Sequence, residues 1–181
     1  MSLAHAIMGL LKQEEMTGYD LKTRCFDRSI AHLWQADQAQ IYRTLEKLEE
    51  QGWISCTVEI QHDRPNRKVY CLTEAGKSEL VRWLQCPQPL PTIRDPLLIQ
   101  MFFAGQLPND AIIRLLEKQL IARREKIAEC EEIELPPLGN SAASRDQVLQ
   151  RLVLELVLQQ ERTYIDWLDT AIETIRNQTQ S

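Results

Sequence analysis

The 181-residue sequence predicts a mainly α-helical protein in two parts. Residues 1–86 read as three helices, a two-stranded hairpin and a fourth helix, and residues 92–181 read as helices alone. Three observations carry this. Apolar residues recur at helical spacing through most of the chain, as at Ile41, Leu45 and Leu48. One run, WISCTVEI, instead alternates, with Ile54, Cys56, Val58 and Ile60 on one side, which is a strand pattern. The segment Cys86–Pro91, CPQPLP, carries Pro87, Pro89 and Pro91, which cannot continue a helix and favour an extended connection.

The elements follow in order. Helix one covers about Leu3–Lys12. Thr17 caps a second helix, TGYDLKTRCF, with Asp20 as its capping-box partner. Asp37 caps the third, with Gln40 in the box position, and Gly52 supplies the left-handed stop. At ~100° per residue, Arg43 points away from the Ile41–Leu45–Leu48 face, flanked by Lys47 and Gln40. After the first strand comes a turn-rich tip, QHDRPNR, then a second strand, KVYCL, and Thr73 caps the helix EAGKSELVRWL. A helix pair at a tight turn followed by a hairpin is the layout of a winged helix-turn-helix. In the second half Asp95 before Pro96 marks a helix start. A long helix runs from Pro108–Asp110 to about Ile133, LPPLGNSAAS breaks it, and Arg145–Ile175 forms the last helix.

Composition narrows the function. Hydrophobic residues make up 44% and charged residues 26%, enough for a real core. No apolar run approaches the ~18–20 residues of a membrane span, and MSLAHAIMGLL lacks the basic start and cleavage site of a signal peptide. The five cysteines form no CxxC pair, and their odd number argues against a disulfide framework. Cys56 and Cys71 fall where a hairpin would bring them face to face, but buried reduced thiols are the expectation, in keeping with a reducing cytoplasm. His5, His32 and His62 have no metal-ligand spacing, and no nucleophile–base pair or phosphate loop points to an enzyme or a cofactor. The net charge of −5 argues against a nucleic-acid binder. The charge is uneven, though: residues 1–86 hold 11 Lys+Arg against 12 Asp+Glu, and residues 87–181 hold 10 against 14.

LAHAIMGLL, TGYDLK, QIYRTLEKLEEQGWI and DRPNRKVYCLTEAGKSEL, in register over residues 3–85, together resemble the PadR family of bacterial transcription regulators. RDPLLIQMFFAGQLP and RLVLELVLQQERTYIDWLDTAIETI resemble the C-terminal helical domain of its longer, virulence-activator-like branch. The resemblance implies a winged helix-turn-helix DNA-binding domain followed by a C-terminal α-helical dimerisation domain, a cytoplasmic homodimer, and regulation by repression. It also places Gln40 and Tyr42 near DNA.

In such a fold the second helix of the pair enters the major groove. Arg can bridge guanine O6 and N7, and Gln can pair with adenine N6 and N7. Gln38, Gln40, Arg43 and Lys47 supply these groups, and Tyr42 sits where its hydroxyl can reach a phosphate. Glu46, Glu49 and Glu50 favour a merely solvated face, and they lie toward the C-terminal end. The tip HDRPNRK brings Arg64, Arg67 and Lys68 as expected phosphate contacts; otherwise it is a solvated turn shaped by Pro65. Trp34, Trp53, Trp83 and Trp167 read as core or interface packing, and alternatively as a site for a small aromatic effector.

On the last helix Leu149, Leu152, Leu156, Tyr164, Trp167, Leu168, Ala171 and Ile175 form an apolar stripe, widened by Val148, Val153, Val157 and Leu158. Its breadth predicts a second subunit as partner; a bundle within one chain is the plainer alternative. The expected function is a homodimeric regulator on a double-stranded operator. The alternative is a winged-helix protein-interaction module, or a small-aromatic-ligand sensor, that reads no DNA.

Overall fold

The computed structural model describes residues 2–60, 66–92 and 94–178. The chain divides into two compact units, Met1–Leu90 and Pro91–Ser181. The first contains α1 (Ser2–Gln13), β1 (Met16–Thr17), α2 (Gly18–Asp20) continued by π-helical turns over Leu21–Ser29, α3 (Gln38–Glu50), β2 (Ile54–Glu59), β3 (Arg67–Leu72) and α4 (Glu74–Leu84). The second contains α5 (Pro96–Phe103), a 3-10 turn (Ala104–Gln106), α6 (Asn109–Glu131) and α7 (Arg145–Asn177).

The caps form where the sequence places them. Thr17 and Asp20 exchange both capping-box bonds, as do Asp37 and Gln40. Thr73 accepts from the Gly76 N–H, and Asp95 from the Leu97 N–H. Each such cap satisfies N–H groups that the helix itself leaves open and stabilises by about 1 kcal/mol. At the end of α3, Gly52 takes φ 69°. The Trp53 N–H then reaches the Leu48 carbonyl at 3.0 Å and the Gly52 N–H reaches Glu49 at 2.9 Å, a complete Schellman motif.

Ile41, Leu45 and Leu48 are buried and pack with Ile7, Leu21, Phe26 and Ile54 in the core of the first unit. The spacing of Leu21, Cys25 and Phe26, with i+5 as well as i+4 contacts into that core, accommodates the wider π-helical turns. The three-stranded antiparallel sheet has the order β1–β3–β2, so a two-residue strand joins the expected hairpin. The hairpin enters the core through Ile54 and Tyr70, whereas Val58 and Ile60 are exposed. The thiols do not oppose one another. Cys71 pairs with Ser55 and Cys56 with Tyr70, which puts the two cysteines on opposite sheet faces. All five cysteines are free; Cys56 and Cys71, expected to be buried, are half-buried, Cys25 and Cys130 are buried, and Cys86 is exposed.

In the second unit α6 and α7 pack along one another. One cluster joins Leu97, Ile112, Leu116 and Leu120 to Leu168 and Ile172, and another joins Cys130 to Leu154 and Leu158. The stripe read on α7 is therefore two faces. Leu154, Leu158, Leu168 and Ile172 form the face buried within the chain, while Leu149, Leu152, Val153 and Leu156 are exposed. The last four are spaced i, i+3, i+4, i+7 and make a continuous apolar surface. The buried face also holds a carboxylate, Glu161, which accepts from Arg123 at 2.7 Å and Lys126 at 2.6 Å. Burial by itself raises the Glu161 pKa, but the bonds from Lys126 and Arg123 outweigh it and hold the carboxyl below its ordinary value. Tyr164 donates to Asp95 at 2.7 Å and lies under the Arg123 guanidinium, 3.6 Å from its ring centre.

Candidate nucleic-acid interface

α3 has a buried side and a polar side, and the polar side carries the residues singled out by the sequence. Gln38, Gln40, Arg43 and Lys47 are exposed. Gln40 is partly committed: its side-chain oxygen accepts from the Asp37 N–H at 3.1 Å, which leaves the amide NH2 to face a partner. A bidentate adenine contact by Gln40 must therefore share that oxygen with the capping box. Arg43 Nε donates to the Ala39 carbonyl at 3.2 Å, which holds the guanidinium close to the helix surface.

Tyr42 lies on the other flank of α3, against the start of α2. A Cβ at Gly18 would stand 2.7 Å from two carbons of the Tyr42 ring. The TGYD turn is thus explained residue by residue: Thr17 and Asp20 close the box, and Gly18 makes room for Tyr42.

The hairpin differs from its expected form. Arg67, expected in the tip, lies in β3 opposite Glu59, and Lys68 follows it opposite Val58, within the strand expected from KVYCL. As consecutive strand residues they point to opposite sheet faces. Arg67 bonds to the Asp20 carboxylate at 2.7 Å, whereas Lys68 is exposed on the strand. Arg64 falls outside the described residues.

Gln40, Arg43 and Lys47 meet in an open groove of about 390 Å³. Thr44 completes their side of it, and Leu3, Trp34 and Gln35 approach from α1 and from the loop before α3. The sequence left Trp34 between packing and a small aromatic effector site, and it did not single out Gln35. A loop has no periodicity to show which way its side chains face, and only the nearness of Trp34 to the Asp37 cap pointed here. Among the described residues no group of three or more His, Cys, Asp or Glu could hold a metal ion, and no helix is long and apolar enough to cross a membrane.

Helix pair, capped third helix and antiparallel hairpin define the class: a winged helix-turn-helix followed by a helical region. The profile of the transcriptional regulator PadR-like family matches residues 7–82, and that of the virulence activator alpha C-term matches residues 93–176. The chain belongs to the PadR-like family of transcriptional regulators, a non-enzymatic class. It is 32% identical to the negative transcriptional regulator PadR of Bacillus subtilis, over 96% of this chain and 97% of that protein. The crystal structure of that PadR in complex with operator DNA superposes with a TM-score of 0.81 at 32% identity, covering 97% of this chain and 99% of the other. The virulence activator AphA of Vibrio cholerae matches with a TM-score of 0.75 at 29% identity, over 96% of this chain and 98% of the other. A further crystal structure shows the B. subtilis PadR in complex with p-coumaric acid.

Proposed function

We propose that the chain is a homodimeric repressor that binds a palindromic operator, with α3 of each subunit in successive major grooves ~34 Å apart. The observation that carries this is the polar side of α3. Gln38, Gln40, Arg43 and Lys47 stand exposed on a helix locked by a capping box at one end and a Schellman motif at the other. Arg43 is assigned to a base edge, Lys47 and Lys68 to phosphates, and Tyr42 to a phosphate through its hydroxyl. Arg67 contributes only if it leaves Asp20, and Arg64 belongs to the same basic hairpin in sequence. The B. subtilis relative in complex with operator DNA supports the reading, and the description of that relative as a negative regulator supports repression.

Residues 92–181 are assigned to dimerisation, through the exposed Leu149, Leu152, Val153 and Leu156 of α7. Joining two half-site binders raises operator avidity by roughly 10²–10⁴. The p-coumaric acid complex of the relative makes a small aromatic acid the effector class to test first.

The exposed Glu46, Glu49 and Glu50 favour a second reading, a winged-helix module that binds protein and no DNA. Selection of genomic fragments by the intact chain decides between them. The DNA-binding reading requires recovery of discrete fragments at a salt concentration that releases random duplex. Recovery no better than random, with no retention on heparin at low salt, would favour the protein-binding module.

A further inference from the structure

We infer that the groove beside α3 seats a sugar–phosphate strand of DNA, with Trp34 as a backbone-contact residue beside Lys47; this rests on the DNA-binding reading above. The α3 side of the groove is Gln40, Arg43, Thr44 and Lys47, spaced i, i+3, i+4, i+7, so these four form one continuous stripe. Among the described lining residues two are cationic and none is acidic, the sign that suits phosphate.

Trp34 adds an apolar surface where a merely solvated face needs none. The residue is 40% exposed, although indole gains much from burial. The backbone that carries the ring is held in place. The Leu33 and Trp34 N–H groups both donate to the Ile30 carbonyl at 2.9 Å, and Ala36 is buried in the core two residues later. The ring is thus presented at the groove, with Leu3 as a second apolar group there. A flat apolar face suits the edge of a deoxyribose, and one indole N–H suits a phosphate oxygen. Lys47 is the cation that faces the strand, one helical turn along the stripe from Arg43, which stays assigned to a base edge. The volume of about 390 Å³ is in the range that holds one small ligand-sized group, and the groove is open, as a continuous strand requires. An aromatic carboxylate would use the same chemistry, so it enters the test.

The experiment follows tryptophan emission of the full chain during titration with a random-sequence duplex at low salt, for the natural sequence, Trp34→Phe, Trp34→Ala and Lys47→Gln. Duplex should change the emission of the natural chain, and Trp34→Phe should bind duplex with that change largely gone. Trp34→Ala should bind roughly tenfold more weakly, as for loss of an aromatic platform. Lys47→Gln should flatten the dependence of log K on log salt by about one. Because Trp34→Phe keeps a ring in place, its result stands even if Trp34→Ala folds poorly. If the natural chain binds duplex and Trp34→Phe still shows the full emission change, the inference is wrong and the DNA-binding reading survives. The same holds if benzoate, and not duplex, changes the Trp34 emission. A chain that binds no duplex at any salt overturns both.

Discussion

Arg67 and Asp20, 47 residues apart in sequence, meet at 2.7 Å, and the same Asp20 oxygen accepts the Thr17 N–H at 3.2 Å and the Thr17 hydroxyl at 2.6 Å. One carboxylate thus closes the turn into α2 and ties down the strand that leaves the hairpin. Burial alone raises the Asp20 pKa, but the bonds from Thr17 and Arg67 lower it overall. Arg67 and Lys68 therefore have different roles, although they are neighbours in sequence.

Lys68→Ala should flatten the salt dependence of duplex binding by about one contact's worth, whereas Arg67→Ala should leave that slope unchanged. Arg67→Ala should instead lower stability by about 1 kcal/mol or less, since the pair is half-exposed. Salt titrations and denaturant melts of the two variants separate these effects. Equal slope changes in both would show that Arg67 leaves Asp20 for phosphate.

Gly18→Ala should cost about 1–3 kcal/mol, because the new methyl must displace the Tyr42 ring. In a Tyr42→Ala background most of that cost should disappear, which gives a coupling well above the ~0.5 kcal/mol within which independent sites add. A double-mutant cycle by urea unfolding measures the coupling. Additive costs would mean that Gly18 and Tyr42 do not constrain each other.

Glu161→Gln should destabilise the C-terminal unit by about 3 kcal/mol, the low end for a broken buried pair, because Lys126 keeps contact with water. The folded-state pKa of Glu161 lies below its ordinary value of 4.5. Its contribution is therefore present above the unfolded value and is lost as pH falls through the lower folded value. Asp95 is also lowered, chiefly by the Tyr164 hydroxyl, and adds the same sign of dependence. Stability should fall on acidification below about pH 4.5, and Glu161→Gln should flatten that fall. An equally steep fall in the variant would assign it to other carboxylates.

Leu152→Glu with Leu156→Glu should convert the chain to a monomer without lowering the stability of the subunit fold, since both side chains are exposed within the chain. Sedimentation reads the mass and helical circular dichroism reads the fold. A variant that remains dimeric would move the interface elsewhere, with the exposed Phe102 and Phe103 of α5 as the next surface to test.

The parts of this structure legible in sequence are those set by local chemistry. Thr17, Asp37, Thr73 and Asp95 cap because a short oxygen-bearing side chain before a helix can reach a backbone N–H wherever the chain goes next. Gly52 terminates α3 for an equally local reason. The Ile41–Leu45–Leu48 face of α3 was readable because its opposite side is polar. What was hidden depends on partners distant in sequence. β1 is two residues long, too short for any alternation, and exists because Met16 and Thr17 meet Tyr70 and Val69. α7 is apolar on two sides, so spacing could not say that Leu154 faces the chain's own core and Leu152 faces away. Asp20 was legible as a capping partner, but its bond to Arg67 exists only once the hairpin is in place, and Trp34 reaches the groove only through the course of the loop before α3.

The most direct test of the central claim compares the intact chain with Arg43→Ala on a fragment recovered by genomic selection and on random duplex of equal length. The account predicts a loss of about 1–3 kcal/mol on the selected fragment, relaxed preference at one base pair in each half-site, and little change on random duplex. Equal losses on both duplexes, or a natural chain that does not distinguish them, would contradict a sequence-reading α3.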